Sequence, residues 1–171
     1  MIAGPCQAEA HMAEGRHSTI AEGTDVGVIG ALAVALWFLI LDTIAGHPLQ
    51  TPSLLGQVVL FGRSSPEPGE FVFGAVLVYT AFHFMVFALL GIGLVALVHW
   101  ATENSVVRYA FVPVFLVFEV MFYGLLRVLS QRTDALFPFW AVVGANTLAA
   151  LGMGFYLWRR HPALRQSLRD T

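Results

Sequence analysis

The chain contains no lysine, a single cysteine and few charges of either sign. Charged residues make up 12% of its 171 positions, against about a quarter in soluble domains. So little polar surface excludes an ordinary water-soluble globule. A formal net charge of −2 gives no basic field for phosphates, so no nucleic-acid partner is expected. The lone thiol, Cys6, cannot make an internal disulfide or a cysteine-based metal site. Also missing are HExxH, Walker A, GxSxG and Gly-rich dinucleotide motifs. The chain is therefore not expected to be an enzyme, and no metal or cofactor is expected.

Apolar residues make up 57% of the chain, and its mean hydropathy is +0.73. They gather into four stretches, at about 26–45, 71–99, 106–129 and 137–158. Each approaches or exceeds the ~20 residues that cross a hydrocarbon core as a helix. Backbone groups in lipid must be paired within their own segment, so these are helices rather than open strands. The expected fold is all-α: an integral membrane four-helix bundle with short antiparallel connections. Residues 1–25 read as a polar tail, disordered or loosely helical. Residues 26–160 form the membrane domain, and 161–171 a basic tail.

The first loop is long. Within it, "TPSLLGQVVLFG" predicts a short interfacial helix with Thr51 as N-cap and Pro52 at the first helical position. Leu54, Leu55, Val58, Val59 and Phe61 give it an apolar side. That side lies on the membrane surface or tucks against the bundle mouth. Small residues recur every fourth position at Gly27, Ala31 and Ala35, and again at Ala141, Ala145 and Ala149. Such stripes let helix backbones approach closely in lipid.

Arginines near the helix ends set the orientation. Arg16, Arg108, Arg159, Arg160, Arg165 and Arg169 fall on the side of both tails. Arg63, Arg127 and Arg132 fall on the side of loops one and three. The excess places both termini in the cytoplasm, with the bundle in a bacterial-type inner membrane.

The polar residues inside these stretches are the candidate site. Glu119 is near the middle of the third, His83 near the middle of the second, and Asn146 near the middle of the fourth. Asp42 ends the first, toward loop one. Glu119, Tyr123 and Arg127 step by four and share one helix face; Tyr79 and His83 do the same. An antiparallel pair of helices two and three sets His83 opposite Glu119, where the two share a proton or a hydrogen bond. Asp42 and Arg127 pair nearer the surface. An unmatched charge at the bilayer centre costs about 2.5–3.5 kcal/mol on insertion scales, so Glu119 is expected to be protonated, paired or wet.

Haem is disfavoured. Bis-His ligation needs two imidazoles at one depth on facing helices. His83 and His99 are instead about 24 Å apart along one helix and point to nearly opposite sides. The reading favoured by sequence is a non-enzymatic structural or accessory subunit of a membrane assembly. Its partners are the lipid bilayer and either other membrane subunits or a second copy of itself. The alternatives are a small proton-coupled carrier or channel using Glu119 and His83, and a membrane enzyme acting on lipid or quinone.

Overall fold

The computed structural model describes residues 5–63, 69–103 and 138–160, together with Leu116, Glu119, Val120, Tyr123 and Gly124. Among the described residues every regular element is helical. Helix α1 spans Pro5–Ile44 and α2 spans Gln50–Leu55, continued by a π-helical turn at Gly56–Leu60. Helix α3 spans Phe73–Glu103 and α4 spans Phe139–Arg160. Three segments are long and apolar enough to cross a membrane: Thr19–Ile44, Phe73–Trp100 and Phe139–Arg160. They mark the chain as a membrane protein. Their outward faces carry large apolar side chains such as Leu36, Leu89 and Leu151. In water such a surface would be a liability; against acyl chains it is the expected one.

These spans fall where hydropathy places the first, second and fourth stretches. The segment 1–25 is not separated from the first span, because the helical backbone of α1 begins at Pro5. The stretch 106–129 lies mostly outside the described residues. Its five described positions, Leu116, Glu119, Val120, Tyr123 and Gly124, all have helical backbone. The tail 161–171 also lies outside them.

Helix α1 packs on both other long helices. Its seam with α3 is built from glycine. A Cβ on Gly27 would strike the Phe87 carbonyl and Ala88, and one on Gly91 would strike the Gly23 carbonyl. The stripe that meets α3 is therefore Gly23, Gly27 and Ala31, one turn earlier than the predicted stripe. Ala35 faces outward. Ala141, Ala145 and Ala149 are buried, and Ala149 joins a core cluster with Ala31 and Phe87. With no solvent to expel, such helices hold by van der Waals contact, which small residues maximise by closing the gap between backbones.

The contacts also fix direction. Along α1, Gly23 meets Ile92 and Gly27 meets Phe87, so α1 and α3 are antiparallel. Gly30 meets Met153, Gly152 meets Ile29, and Gly144 meets Trp37. Helix α4 is therefore antiparallel to α1 as well, and parallel to α3. Trp37 Nε1 donates to the Ala141 carbonyl at 2.9 Å. At the other end the Tyr156 hydroxyl donates to Asp25 Oδ2 at 3.4 Å. Pro138 stands just before α4, and its carbonyl accepts from the Ala141 amide at 2.9 Å.

A leucine at Gly91 must push two backbones apart, so Gly91→Leu is expected to cost at least the ~1–3 kcal/mol typical of overpacking. Nothing lies within 4 Å of a Cβ built on Gly93, so Gly93→Leu is expected to be near neutral. Thermal unfolding of the two variants in mild detergent checks this. Equal midpoints would show that the glycine seam does not hold α1 to α3.

Candidate functional site

The mouth of the structure is where α1 ends and α3 and α4 begin. Helix α1 stops in a Schellman arrangement: His47 N–H donates to the Asp42 carbonyl and Gly46 N–H to the Thr43 carbonyl. Gly46 has φ +82°, the left-handed conformation that this cap requires and glycine adopts freely. The side chain of the same Asp42 turns to the next helix. Its Oδ2 accepts from the Thr51 amide at 2.7 Å and its Oδ1 from the Thr51 hydroxyl at 2.8 Å. One buried carboxylate therefore satisfies an orphan N–H in the first turn of α2 and pins α2 to the end of α1.

Thr51 is thus not the N-cap. The cap position falls to Leu49, a non-glycine residue at φ +65°, with no side-chain bond. A left-handed conformation costs such a residue about 1–2 kcal/mol. The two Asp42 bonds stand directly beside it and offset the strain. The expected Asp42–Arg127 pair cannot be compared, since Arg127 lies outside the described residues; both Asp42 oxygens are engaged by Thr51.

Of the two expected positions for α2, the structure takes the second. It is tucked into the mouth, with Thr51, Ser53, Leu54, Leu55, Gln57 and Val58 all buried. Only Phe61 of the predicted apolar side is mainly exposed. Gly56 lies against the Ala75 carbonyl, too close for any Cβ. Leu54 and Leu55 join Val142 of α4 in one cluster, against Phe38, Tyr79 and Tyr123. The polar side of α2 is buried too, and it ties down the chain that enters α3. The Ser53 hydroxyl accepts from Val72 N–H at 3.0 Å and donates to the Glu70 carbonyl at 3.3 Å. Gln57 Nε2 donates to that carbonyl at 3.5 Å. Arg63 Nη1 donates to Gln57 Oε1 at 2.7 Å and to Glu70 Oε1 at 2.6 Å. Backbone groups that would be orphaned beside the membrane are thereby paired.

This set was missed at the level of sequence, although a signal was present. Residues 50–62 contain no charge at all. A helix lying among lipid headgroups carries Lys or Arg on its outer face. A short helix with Ser53 and Gln57 four apart, and no charged residue, is a helix buried on both sides.

The deeper polar residues separate into two places. His83 and Tyr79 stack at 5.8 Å between ring centroids. Phe87 lies 4.8 Å from the imidazole, and His83 Nε2 lies 3.1 Å from the Ala31 carbonyl of α1. A carbonyl only accepts, so the imidazole donates; that assigns the proton to Nε2. His83 is a tie between α3 and α1. The expected His83–Glu119 hydrogen bond is not made.

Glu119 turns inward, with 8% of its surface exposed, and Asn146 of α4 is 9% exposed. Asn146 is the polar side chain that approaches the carboxylate. Asn146 lies close enough to act on the carboxyl as a hydrogen-bond donor, but the contact falls short of full hydrogen-bond geometry, which leaves both Glu119 oxygens and Asn146 Nδ2 without a well-formed bond among the described residues. Tyr123 sits one turn from Glu119 and packs edge-on against Phe139 at 5.3 Å. Among the described residues no three His, Cys, Asp or Glu side chains gather as metal ligands. A buried carboxyl and an amide N–H without well-formed partners can take a proton or a single small polar guest. They are too few to replace the shell of a divalent cation.

No protein-family model, curated protein or solved structure matches the chain significantly.

Asp42→Ala removes both bonds to Thr51, each worth about 1.5–3 kcal/mol when the acceptor is charged. Hydrogen exchange over residues 50–60 is expected to accelerate while the centre of α1 stays protected. Unchanged protection of α2 would show that packing alone holds it.

Proposed function

We propose that the protein is a four-span membrane protein that handles protons at Glu119, as a small carrier or channel. The observation that carries this reading is the Glu119 carboxyl: more than nine-tenths buried, approached by Asn146, and with neither oxygen in a well-formed hydrogen bond among the described residues. A polar group buried for purely structural reasons is normally hydrogen-bonded. His83 has such a role, against the Ala31 carbonyl. Glu119 has not, and a carboxylate deep in a membrane protein that lacks a partner is a functional group by default. A proton is the smallest ligand that cancels its charge. The site differs from the one expected, with Asn146 in the place given to His83.

The fourth span rests on direction. Helices α3 and α4 are parallel, so the chain between Glu103 and Pro138 must return from one end of the structure to the other. The helical backbone at Glu119 and Tyr123, and the packing of Tyr123 at the mouth, support a helix on that return. The beginning of the apolar part of α1 and the end of α4 share a face, through Val26 with Leu157 and Asp25 with Tyr156. Arg159 and Arg160 stand in the last turn there, which under the positive-inside rule supports a cytoplasmic position for that face.

Two measurements test these statements. In proteoliposomes under an imposed pH gradient, wild type is expected to carry a proton flux that Glu119→Gln reduces to the level of empty vesicles, with folding intact. Equal flux in all three samples would overturn the reading and return the weight to an accessory subunit without transport. In a Cys6→Ser background, single cysteines at Glu103 and Pro138 are expected to react with impermeant maleimide from opposite sides of the membrane. Reaction from the same side would remove the fourth span.

A further inference from the structure

The position of α2 relative to Glu119 carries one more step, which rests on the reading of Glu119 as a proton site. Tyr123 is one helical turn from Glu119. Val142 is one turn from Asn146, on the side where α4 begins. Both residues belong to the cluster in which Leu54 and Leu55 of α2 pack, together with Phe38 and Tyr79. Asn146 itself lies about 10 Å into α4. The Leu54–Leu55 tip of α2 therefore lies on the mouth side of the Glu119–Asn146 pair, about one helical turn away through Tyr123 and Val142.

We infer that α2 is a gate: a short re-entrant helix whose Leu54–Leu55 tip closes the route from the loop-one face to Glu119, and whose release opens it. Its construction suits movement. It is only six residues long before the π-helical turn, too short to be stable as a helix by itself. It enters through a strained residue, Leu49, and leaves through Gly62 at φ +67°. At its start it is fastened by one latch, Asp42 to Thr51. At its far end the fastening is Gln57 with Arg63 and the Glu70 segment. A long transmembrane helix would have to tilt to open a path. This element can instead swing about its π-helical end, where Gly56 lies against Ala75, on exchange of the Asp42–Thr51 and Ser53 bonds and withdrawal of two leucines. The route is thus closed by apolar side chains, and the polar latch, Asp42 with Thr51, is itself buried beside them.

The test reads access to the Glu119 carboxyl with two carbodiimides on the full chain in lipid nanodiscs, by peptide mass. One reagent is neutral and lipid-soluble, the other permanently charged and confined to water. The neutral reagent is expected to label Glu119 in wild type and in every variant. The charged reagent is expected to label wild type slowly. Asp42→Asn and Thr51→Val should react on the order of tenfold faster, the population change that follows loss of one such latch bond. Thr51→Ser keeps both bonds and should behave as wild type. Leu54→Ala, which keeps the latch and shrinks the tip, should also react faster. That variant, and intact elution of each protein, separate opening from misfolding. Equal charged-reagent rates across wild type and variants, with neutral labelling retained, would overturn the gate and leave the proton site standing. Failure of the neutral reagent to label Glu119 at all would overturn the proton site, and the gate with it.

Discussion

Inside a membrane a polar group has no water to fall back on, and its partner must come from the protein. Most of this structure follows from that single constraint. It explains why every described regular element is helical, why the chain entering α3 is laid against Ser53 and Gln57, and why Trp37 and His83 reach across to carbonyls of neighbouring helices. It also gives weight to the exception. Glu119 and Asn146 are buried as thoroughly as the paired groups, yet both Glu119 oxygens and Asn146 Nδ2 lack a well-formed hydrogen bond among the described residues. Among the described residues these are the buried side-chain atoms that the fold leaves unpaired.

The glycine seam and the mouth work together. Gly23, Gly27 and Gly91 bring α1 and α3 into backbone contact, so the two helices act as one stiff unit. Trp37, Gly144 and Gly152 set α4 against the same α1. What remains between the mouth ends of these helices is filled by α2, a piece with little stability of its own. The structure thus has a large part, held by close packing of long helices, and a small part held by a leucine cluster and a few directed, buried bonds. Differences in local stability of this kind are where conformational change is found in proteins.

Much of the fold was legible in the sequence. The apolar stretches at 26–45, 71–99 and 137–158 coincide with helices because length and hydropathy alone decide whether a segment can live in lipid. The depth of Glu119, and that it turns inward, could be read from its place in its stretch. Its neighbour could not. Which helix face meets which depends on the rotation of each helix about its axis, and that was set here by glycines whose contacts only the structure reveals. The rotation that seats Gly91 against Gly23 also carries His83 onto the Ala31 carbonyl. The stripe of small residues was seen, but one turn late, because alanine and glycine look alike by size class and differ in how closely they let a backbone approach. The buried position of α2 was open in sequence because surface and buried short helices share one pattern of leucines; the absence of charge from 50 to 62 was the feature that separated them.

The parallel course of α3 and α4 has an electrical consequence. Each helix carries a partial positive charge at its N-terminal end and a negative one at its C-terminal end. Two long helices, α3 and α4, begin at the mouth and α1 ends there, and a fourth span returning to the mouth would make the count two against two. The dipoles of four such spans cancel along the membrane normal, which leaves local charge, such as Arg159 and Arg160 at the end of α4, to distinguish one face from the other.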